Sequence, residues 1–279
     1  MVPLLLASCA RLKALMIDLS GTLHVGDEPT RDAARAIDAL RHRQIALRFV
    51  SNTSKESKQS LLDKMKRMKL DVREDELFTS LSAVRQLVDD ERLCPMYLLS
   101  DSARTDFPPS QPPYDSVVVG LAPSKLGYET GLNEAFRVLA KESNVTEAAN
   151  VRLIATHKAK YVRDKDGKLS LGPGPFISAL EEAADVQSEI VGKPTRAFFK
   201  LALKSLEKEG IHETDWQSVG MIGDDALQDV GLEAKSLGLF RMLVRTGKYR
   251  NGDEQKVIDA EPDWCGQDFA VAVDNILQM

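Results

Sequence analysis

The sequence predicts an α/β protein: a doubly wound parallel-sheet (Rossmann-like) core interrupted by an inserted, smaller α/β domain. Three observations predict it. Short apolar runs alternate with amphipathic helical stretches along the 279 residues. The alternation starts afresh near Pro95, as a second sheet would require. Three apolar runs end abruptly in polar residues, and the carboxyl ends of parallel strands are where open α/β sheets hold their ligands.

Taken in order, residues 12–19 form a short apolar run closing on Asp18, and Ser20-Gly21-Thr22 then makes a tight polar turn. Over residues 30–43, Ala33, Ala34, Ile37 and Leu40 share a helical face, and residues 45–50 read as a second strand ending at Ser51-Asn52-Thr53. Ser54 is placed to cap a helix running to Leu70, and a further amphipathic helix is expected over residues 82–91. Strands follow at 96–99, 116–121 and 152–156, with a helix over 128–141. Residues 160–171, with Asp166-Gly167 in the middle, read as a hairpin, and Gly172-Pro173-Gly174-Pro175 breaks the chain before a helix reaching Ala184. Strands at 189–191, 219–222 and 242–244, separated by helices near 195–209 and 229–236, restore the parallel alternation. The expected organisation is core over residues 1–81, inserted domain over 82–186 and core again over 187–279.

Composition narrows the function. Apolar residues make up 43% and charged residues 28%, the range of a folded globular chain. A net charge of -5 and a pI near 5.5 argue against nucleic acid as a partner. The basic run Lys64, Lys66, Arg67 and Lys69 alternates with Met65, Met68 and Leu70 as a solvated helix face does. No stretch approaches the roughly 20 apolar residues of a membrane span, so no membrane partner is expected. The opening residues 2–9 lack a basic start and carry only a short apolar run, so no cleaved leader is expected. Cys9, Cys94 and Cys265 are odd in number and far apart, which suggests free thiols and a cytoplasmic address.

Asp18, Ser51 with Asn52, and Asp224 with Asp225 each follow a predicted strand, so one crevice can receive them all. Converging carboxylates repel unless a cation neutralises them, and hard oxygen donors suit Mg²⁺ together with a small phosphorylated substrate. Lys193, in Val191-Gly192-Lys193-Pro194, is placed to offset phosphate charge. Taken singly, Asp224-Asp225 also fits a helix cap and Lys193 a surface lysine. His24 and His157 lie near the expected sites, but without a nameable partner they read as structural. Lys158, Lys160 and Tyr161 fit a solvated hairpin as well as a substrate contact.

Asp18-Leu19-Ser20-Gly21-Thr22-Leu23, Ser51-Asn52, Lys193, and Gly223-Asp224-Asp225 with Asp229 resemble, in this order, the four motifs of the haloacid dehalogenase superfamily, in its capped subclass. The resemblance runs from about residue 12 nearly to the end of the chain. It implies that Asp18 is a nucleophile forming an aspartyl-phosphate, with Ser51 and Lys193 as the other catalytic residues. Mg²⁺ would be held by Asp18, the backbone carbonyl of Ser20 and Asp224, with Asp225 and Asp229 in the outer shell. Ser20, Ser51, Asn52 and Lys193 would bind the phosphoryl group, the inserted domain would be the substrate-selecting cap, and a homodimer is expected.

One position departs from the family pattern. Most phosphatases of the superfamily carry aspartate two positions after the nucleophile, as acid and then base, and this chain has Ser20. Positioned acid-base groups contribute roughly 100- to 10,000-fold, so ordinary esters are expected to turn over slowly, with phosphoramidates and pyrophosphate as better candidates. A subgroup of the family shares this serine. Two other readings stay open: a phosphate- or protein-binding member with weakened catalysis, and a dehalogenase, against which the acidic fourth motif argues.

Overall fold

The computed structural model describes residues 12–145, 150–163 and 168–278. The described chain divides into two compact units, one drawn from Met1–Ser51, Leu62–Phe78 and Lys193–Met279, the other from Asn52–Leu61 and Thr79–Gly192.

The first unit is built on a six-stranded sheet in the order Trp264–Gly266, Phe240–Val244, Val219–Gly223, Ala14–Asp18, Ala46–Ser51, Leu77–Thr79. Ala14–Asp18 pairs in parallel with Val219–Gly223 on one side and Ala46–Ser51 on the other. Chain connections leave this central strand in both directions, which opens a crevice beyond its carboxyl end. All five of its residues are buried, as they must be in a sheet covered on both faces, and this is why the segment reads as an unbroken apolar run. Helix Ala33–His42 buries Ala33, Ala36, Ile37 and Leu40, spaced three and four apart, and places Arg41 and His42 at the end where backbone carbonyls favour positive charge. Helix Arg196–Lys204 buries Phe198, Phe199, Ala202 and Leu203. Its cap is Thr195, whose Oγ1 accepts from the Phe198 amide at 3.3 Å.

The second unit holds a four-stranded parallel sheet in the order Ser188–Ile190, Arg152–Ala155, Ser116–Val119, Pro95–Leu98. Val117, Val119, Leu153 and Ala155 pack with Ile177 and Leu180 of helix Gly174–Ala184 into its core. Tyr161–Arg163 and Leu169–Leu171 form an antiparallel pair, as the hairpin reading expects, while Asp166-Gly167 lies outside the described residues.

Several expectations need correcting. The strand near 189–191 belongs to the second sheet, because Ser188–Ile190 pairs with Leu153–Ala155, so the returning segment of the first unit starts at Lys193 and not at 187. The second unit also takes in Asn52–Leu61, which the expected boundaries assign to the core. Ser54 caps no helix: Ser57 precedes helix Lys58–Arg67 and accepts from the Ser60 amide at 3.2 Å, while the Ser54 hydroxyl is engaged elsewhere. The helix expected over 128–141 is a wide turn at Tyr128–Leu132 followed by a shorter helix, Asn133–Leu139. Strands Leu77–Thr79 and Trp264–Gly266 and helix Phe269–Gln278 are additions to the expected elements. Cys9 and the apolar opening residues lie outside the described part, and Cys94 and Cys265 are free thiols. Among the described residues no helix is long and apolar enough to cross a membrane.

Candidate active site

Register fixes the first elements of the site. Asp18 lies opposite Val50, so Ser51 projects one residue beyond it on the neighbouring strand, and Ile17 lies opposite Ile222, which puts Asp224 just past the other neighbour. Asp18, Ser51, Lys193, Asp224 and Asp229 are all buried polar residues, an expensive arrangement unless each group finds a partner.

The partners form a chain. Lys193 Nζ donates to Asp18 Oδ1 at 2.5 Å and to Asp229 Oδ1 at 2.6 Å. The second oxygen of Asp229 accepts from the Asp225 amide at 3.1 Å, and Asp225 Oδ1 in turn accepts from the amides of Leu227 and Gln228 at 3.1 and 3.0 Å. Asp225 therefore closes the turn that follows it and caps no helix, the next one, Leu232–Ser236, starting after Gly231; its other oxygen lies 3.6 Å from Lys248 Nζ. Asp18 Oδ2 accepts from Thr22 Oγ1 at 3.3 Å. Asp224 Oδ2 accepts from the Lys248 amide at 2.5 Å, whereas Asp224 Oδ1 is buried with no hydrogen-bond partner among the described residues.

Backbone shape lets these groups approach. Gly21 sits at φ +99°, where a side chain would be strained, and a Cβ there would fall 1.9 Å from Asp224 Oδ2. Gly247, at φ +56°, is equally tight: its Cβ would lie 2.1 Å from the same oxygen. Thr246 Oγ1 donates to the Gly21 carbonyl, tying the turn after strand Phe240–Val244 to the turn after Asp18.

Charge decides what the site can hold. Oxygens of Asp18, Asp224 and Asp229 lie within 4.8 Å of one another. Burial, then the charges of Asp18 and Asp229, push Asp224 well above the usual carboxylate range. Burial also raises Asp229, against the pull of Lys193. Burial alone would lower the Lys193 ammonium, but Asp18 and Asp229 outweigh it and hold it above its ordinary value. Asp229 and Asp18 each accept protein hydrogen bonds at both oxygens, so among the described residues the carboxylate oxygen of this group left without a donor is Asp224 Oδ1, with Asp18 beside it. An unpartnered buried carboxylate oxygen beside a second carboxylate fits a hard divalent ion such as Mg²⁺.

Of the residues expected from sequence, Asp18, Lys193, Asp224, Asp225 and Asp229 come together, with Ser51 on the adjoining strand. Asn52 falls in the second unit, and Ser20 is exposed two residues after Asp18. His24 is buried, with Nδ1 2.8 Å from the Gly26 carbonyl, and burial and then Lys64 depress its pKa, as suits a neutral structural ring. His157 has the partner that sequence could not name, Ser54. Thr22 is expected in the turn after Asp18 but not as its hydrogen-bond donor, and Thr246, Gly247 and Lys248 are not expected at the site. The signal for the last three was the predicted strand at 242–244, whose following residues had to emerge at the same sheet edge.

Two family models match the chain: "Haloacid dehalogenase-like hydrolase" over residues 15–106, which include Asp18 and Ser51, and a HAD-hydrolase-like model over residues 190–272, which include Lys193, Asp224 and Asp229. The human haloacid dehalogenase-like hydrolase domain-containing protein 2 is 44% identical over 276 residues, spanning 98% of this chain and 99% of that one. The chain belongs to the haloacid dehalogenase-like hydrolases. Another relative within this family, human phospholysine phosphohistidine inorganic pyrophosphate phosphatase, is 32% identical over 96% of each chain. The haloacid dehalogenase-like fold is matched by the 4-nitrophenylphosphatase of Thermotoga maritima, with TM-score 0.81 and 21% identity over 95% of this chain and 98% of that one. It is matched equally by the p-nitrophenyl phosphatase of Archaeoglobus fulgidus, with TM-score 0.81 and 23% identity over 95% and 100%.

Proposed function

We propose that this hydrolase is a Mg²⁺-dependent phosphatase that takes the phosphoryl group of a small substrate onto Asp18. The observation that carries the reading is the geometry around Asp18: a buried carboxylate with one oxygen fixed by Lys193 at 2.5 Å, beside an Asp224 oxygen that has no donor among the described residues. The related phosphatases, acting on phosphoamino acids, pyrophosphate or p-nitrophenyl phosphate by name, support the same chemistry.

When bound by Asp18, Asp224 and the Ser20 carbonyl, Mg²⁺ supplies positive charge to the phosphoryl oxygens. The rest falls to the chain. An Asp18 carboxylate oxygen attacks phosphorus, an Asp–O–P bond forms, and the bond to the leaving group breaks with its electron pair on that group. Lys193 holds Asp18 in line and offsets the charge that builds up, while Asp229 fixes the ammonium from behind. Ser51 and Asn52 donate to the phosphoryl oxygens. Water then cleaves the acyl phosphate, releasing orthophosphate and restoring Asp18. Ser20 supplies no acid near neutral pH, so the leaving group takes its proton from water or carries it already, which favours phosphoramidates and pyrophosphate over alkyl esters. The second unit acts as the cap that selects among them, a homodimer is the expected assembly, and the free Cys94 and Cys265 accord with a cytoplasmic address.

The test is a Mg²⁺-dependent phosphate-release screen over pyrophosphate, phospholysine, phosphohistidine, sugar phosphates and nucleotides, with Asp18→Asn as the blank. Release above that blank upholds the reading. Ser20 favours one rival, a member that binds phosphate without turnover: Mg²⁺ and phosphate would then bind while release stays at the blank.

A further inference from the structure

We propose that His157 is a positioning residue that fixes the phosphate-gripping segment by holding Ser54; the inference rests on the phosphatase reading for what that segment grips. His157 Nε2 lies 3.2 Å from Ser54 Oγ, and both side chains are buried. The Ala159 amide approaches His157 Nδ1 at 3.4 Å, which makes Nδ1 the acceptor, leaves the proton on Nε2 and aims it at the serine. The same hydroxyl oxygen accepts from the Leu121 amide at 3.0 Å. One residue earlier, the Thr53 carbonyl accepts from Ser80 Oγ at 3.3 Å. Next to it, Gly192 packs so closely that a Cβ would fall 2.6 Å from Asn52 Oδ1 and 2.2 Å from the Thr156 carbonyl.

These contacts share a location. Leu121, His157 and Gly192 lie just past strands Ser116–Val119, Arg152–Ala155 and Ser188–Ile190, so one edge of the four-stranded sheet clamps residues 52–54. An apolar side chain would fill the space at 157 without the desolvation cost of a buried imidazole. What the imidazole adds is direction: it fixes the rotamer of Ser54 and thereby the turn leading out of Ser51-Asn52. A residue needed only for packing would act on stability alone, whereas His157 acts on the affinity for the phosphoryl group.

Four variants, His157→Leu, His157→Gln, Ser54→Ala and the double H157L/S54A, are assayed with p-nitrophenyl phosphate as substrate and orthophosphate as inhibitor. Amide hydrogen exchange of residues 49–58 is followed in parallel. H157L and S54A should each raise KM and the orthophosphate inhibition constant by up to about tenfold, the range of one hydrogen bond, with kcat little changed. The double variant should be no worse than either single, and H157Q, whose amide reaches the same hydroxyl, should restore wild-type values. Exchange at 51–54 should quicken in step with the affinity loss. Unchanged KM, inhibition constant and exchange in S54A and H157L, or a double variant whose losses simply add, would overturn the proposal. S54A and H157Q decide it in the same way should H157L fail to fold. Absence of wild-type turnover both here and across the phosphate-release screen would defeat the phosphatase reading, while exchange at 51–54 in the same variants would still test the tether, with unchanged exchange sinking it.

Discussion

Lys193 Nζ donates to Asp18 Oδ1 at 2.5 Å across 175 positions of sequence, and both groups are buried. The same ammonium holds Asp229 at 2.6 Å, so one cation serves two carboxylates. Lys193→Met therefore leaves two buried charges without their shared partner. Breaking a buried pair by removing one member typically costs about 3–5 kcal/mol, and losing a preorganised charge donor at a reacting centre costs about 100- to 1,000-fold in rate. Urea denaturation of K193M beside its phosphate-release rate checks both. A variant as stable and as active as wild type would remove Lys193 from the site.

Asp224 gives the site a pH-dependent stability of defined sign. Burial and the charges of Asp18 and Asp229 raise its folded-state pKa, whereas in the unfolded chain a carboxyl titrates near about 4. Above that value the metal-free folded protein still holds a proton that the unfolded chain has released. Stability therefore falls as pH rises toward the raised folded value, by at most about 1.4 kcal/mol per pH unit for one group. Mg²⁺ binds the ionised form and should raise Tm more at mildly alkaline than at mildly acidic pH. Asp224→Asn should flatten the metal-free slope and abolish the Mg²⁺ shift. Thermal melts across pH, with and without Mg²⁺, measure both.

How far sequence reaches depends on whether a signal is local. Asp18 was legible because a strand buried on both faces is a continuous apolar run, and its abrupt polar end marks the sheet edge. The strand Phe240–Val244 is expected from sequence only over 242–244, which leaves out Arg241. In the fold that guanidinium is buried against the carbonyls of Val230, Ala260 and Glu261 and the carboxylate of Asp263, partners that no window of sequence contains. Ser188–Ile190 was seen as a strand but assigned to the wrong sheet, since alternation does not say which sheet a strand joins. Ser54 is a good cap on paper, but in the fold its hydroxyl meets the Leu121 amide and His157, and Ser57 stands before the helix. Asp229 was expected behind the metal ligands. In the fold its two oxygens accept from Lys193 Nζ and the Asp225 amide.

Gly247 carries a constraint that its neighbours make steep. At φ +56° an alanine costs about 1–2 kcal/mol in backbone strain alone, and its Cβ would meet Asp224 Oδ2 at 2.1 Å and the Gly21 Cα at 2.4 Å. Gly247→Ala should lower stability by more than the strain figure and weaken Mg²⁺ binding, because Asp224 must turn away. Gly252, at φ +88° with open space where a Cβ would go, is the control: Gly252→Ala should cost the strain and leave Mg²⁺ affinity intact. Calorimetric Mg²⁺ titration of the two variants separates the effects. Equal affinities would mean that the Asp224 carboxylate does not hold the ion.

Ser20 tests whether the missing acid limits the reaction. It is exposed, two residues beyond Asp18, in a turn closed by the Gly21 amide donating to the His24 carbonyl at 2.7 Å, so a longer side chain has room. Ser20→Asp supplies a carboxyl where most phosphatases of the superfamily have one. Its benefit depends on the leaving group: an alkoxide needs a proton as the P–O bond breaks, whereas a phosphoramidate nitrogen protonates before cleavage. Turnover of alkyl and aryl phosphates should therefore rise, within the roughly 100- to 10,000-fold span of positioned acid-base groups, while phosphoramidate turnover changes far less. Parallel kcat/KM values for the two classes, wild type against S20D, decide it. A uniform change in both, or no gain on esters, would show that proton delivery is not what separates them.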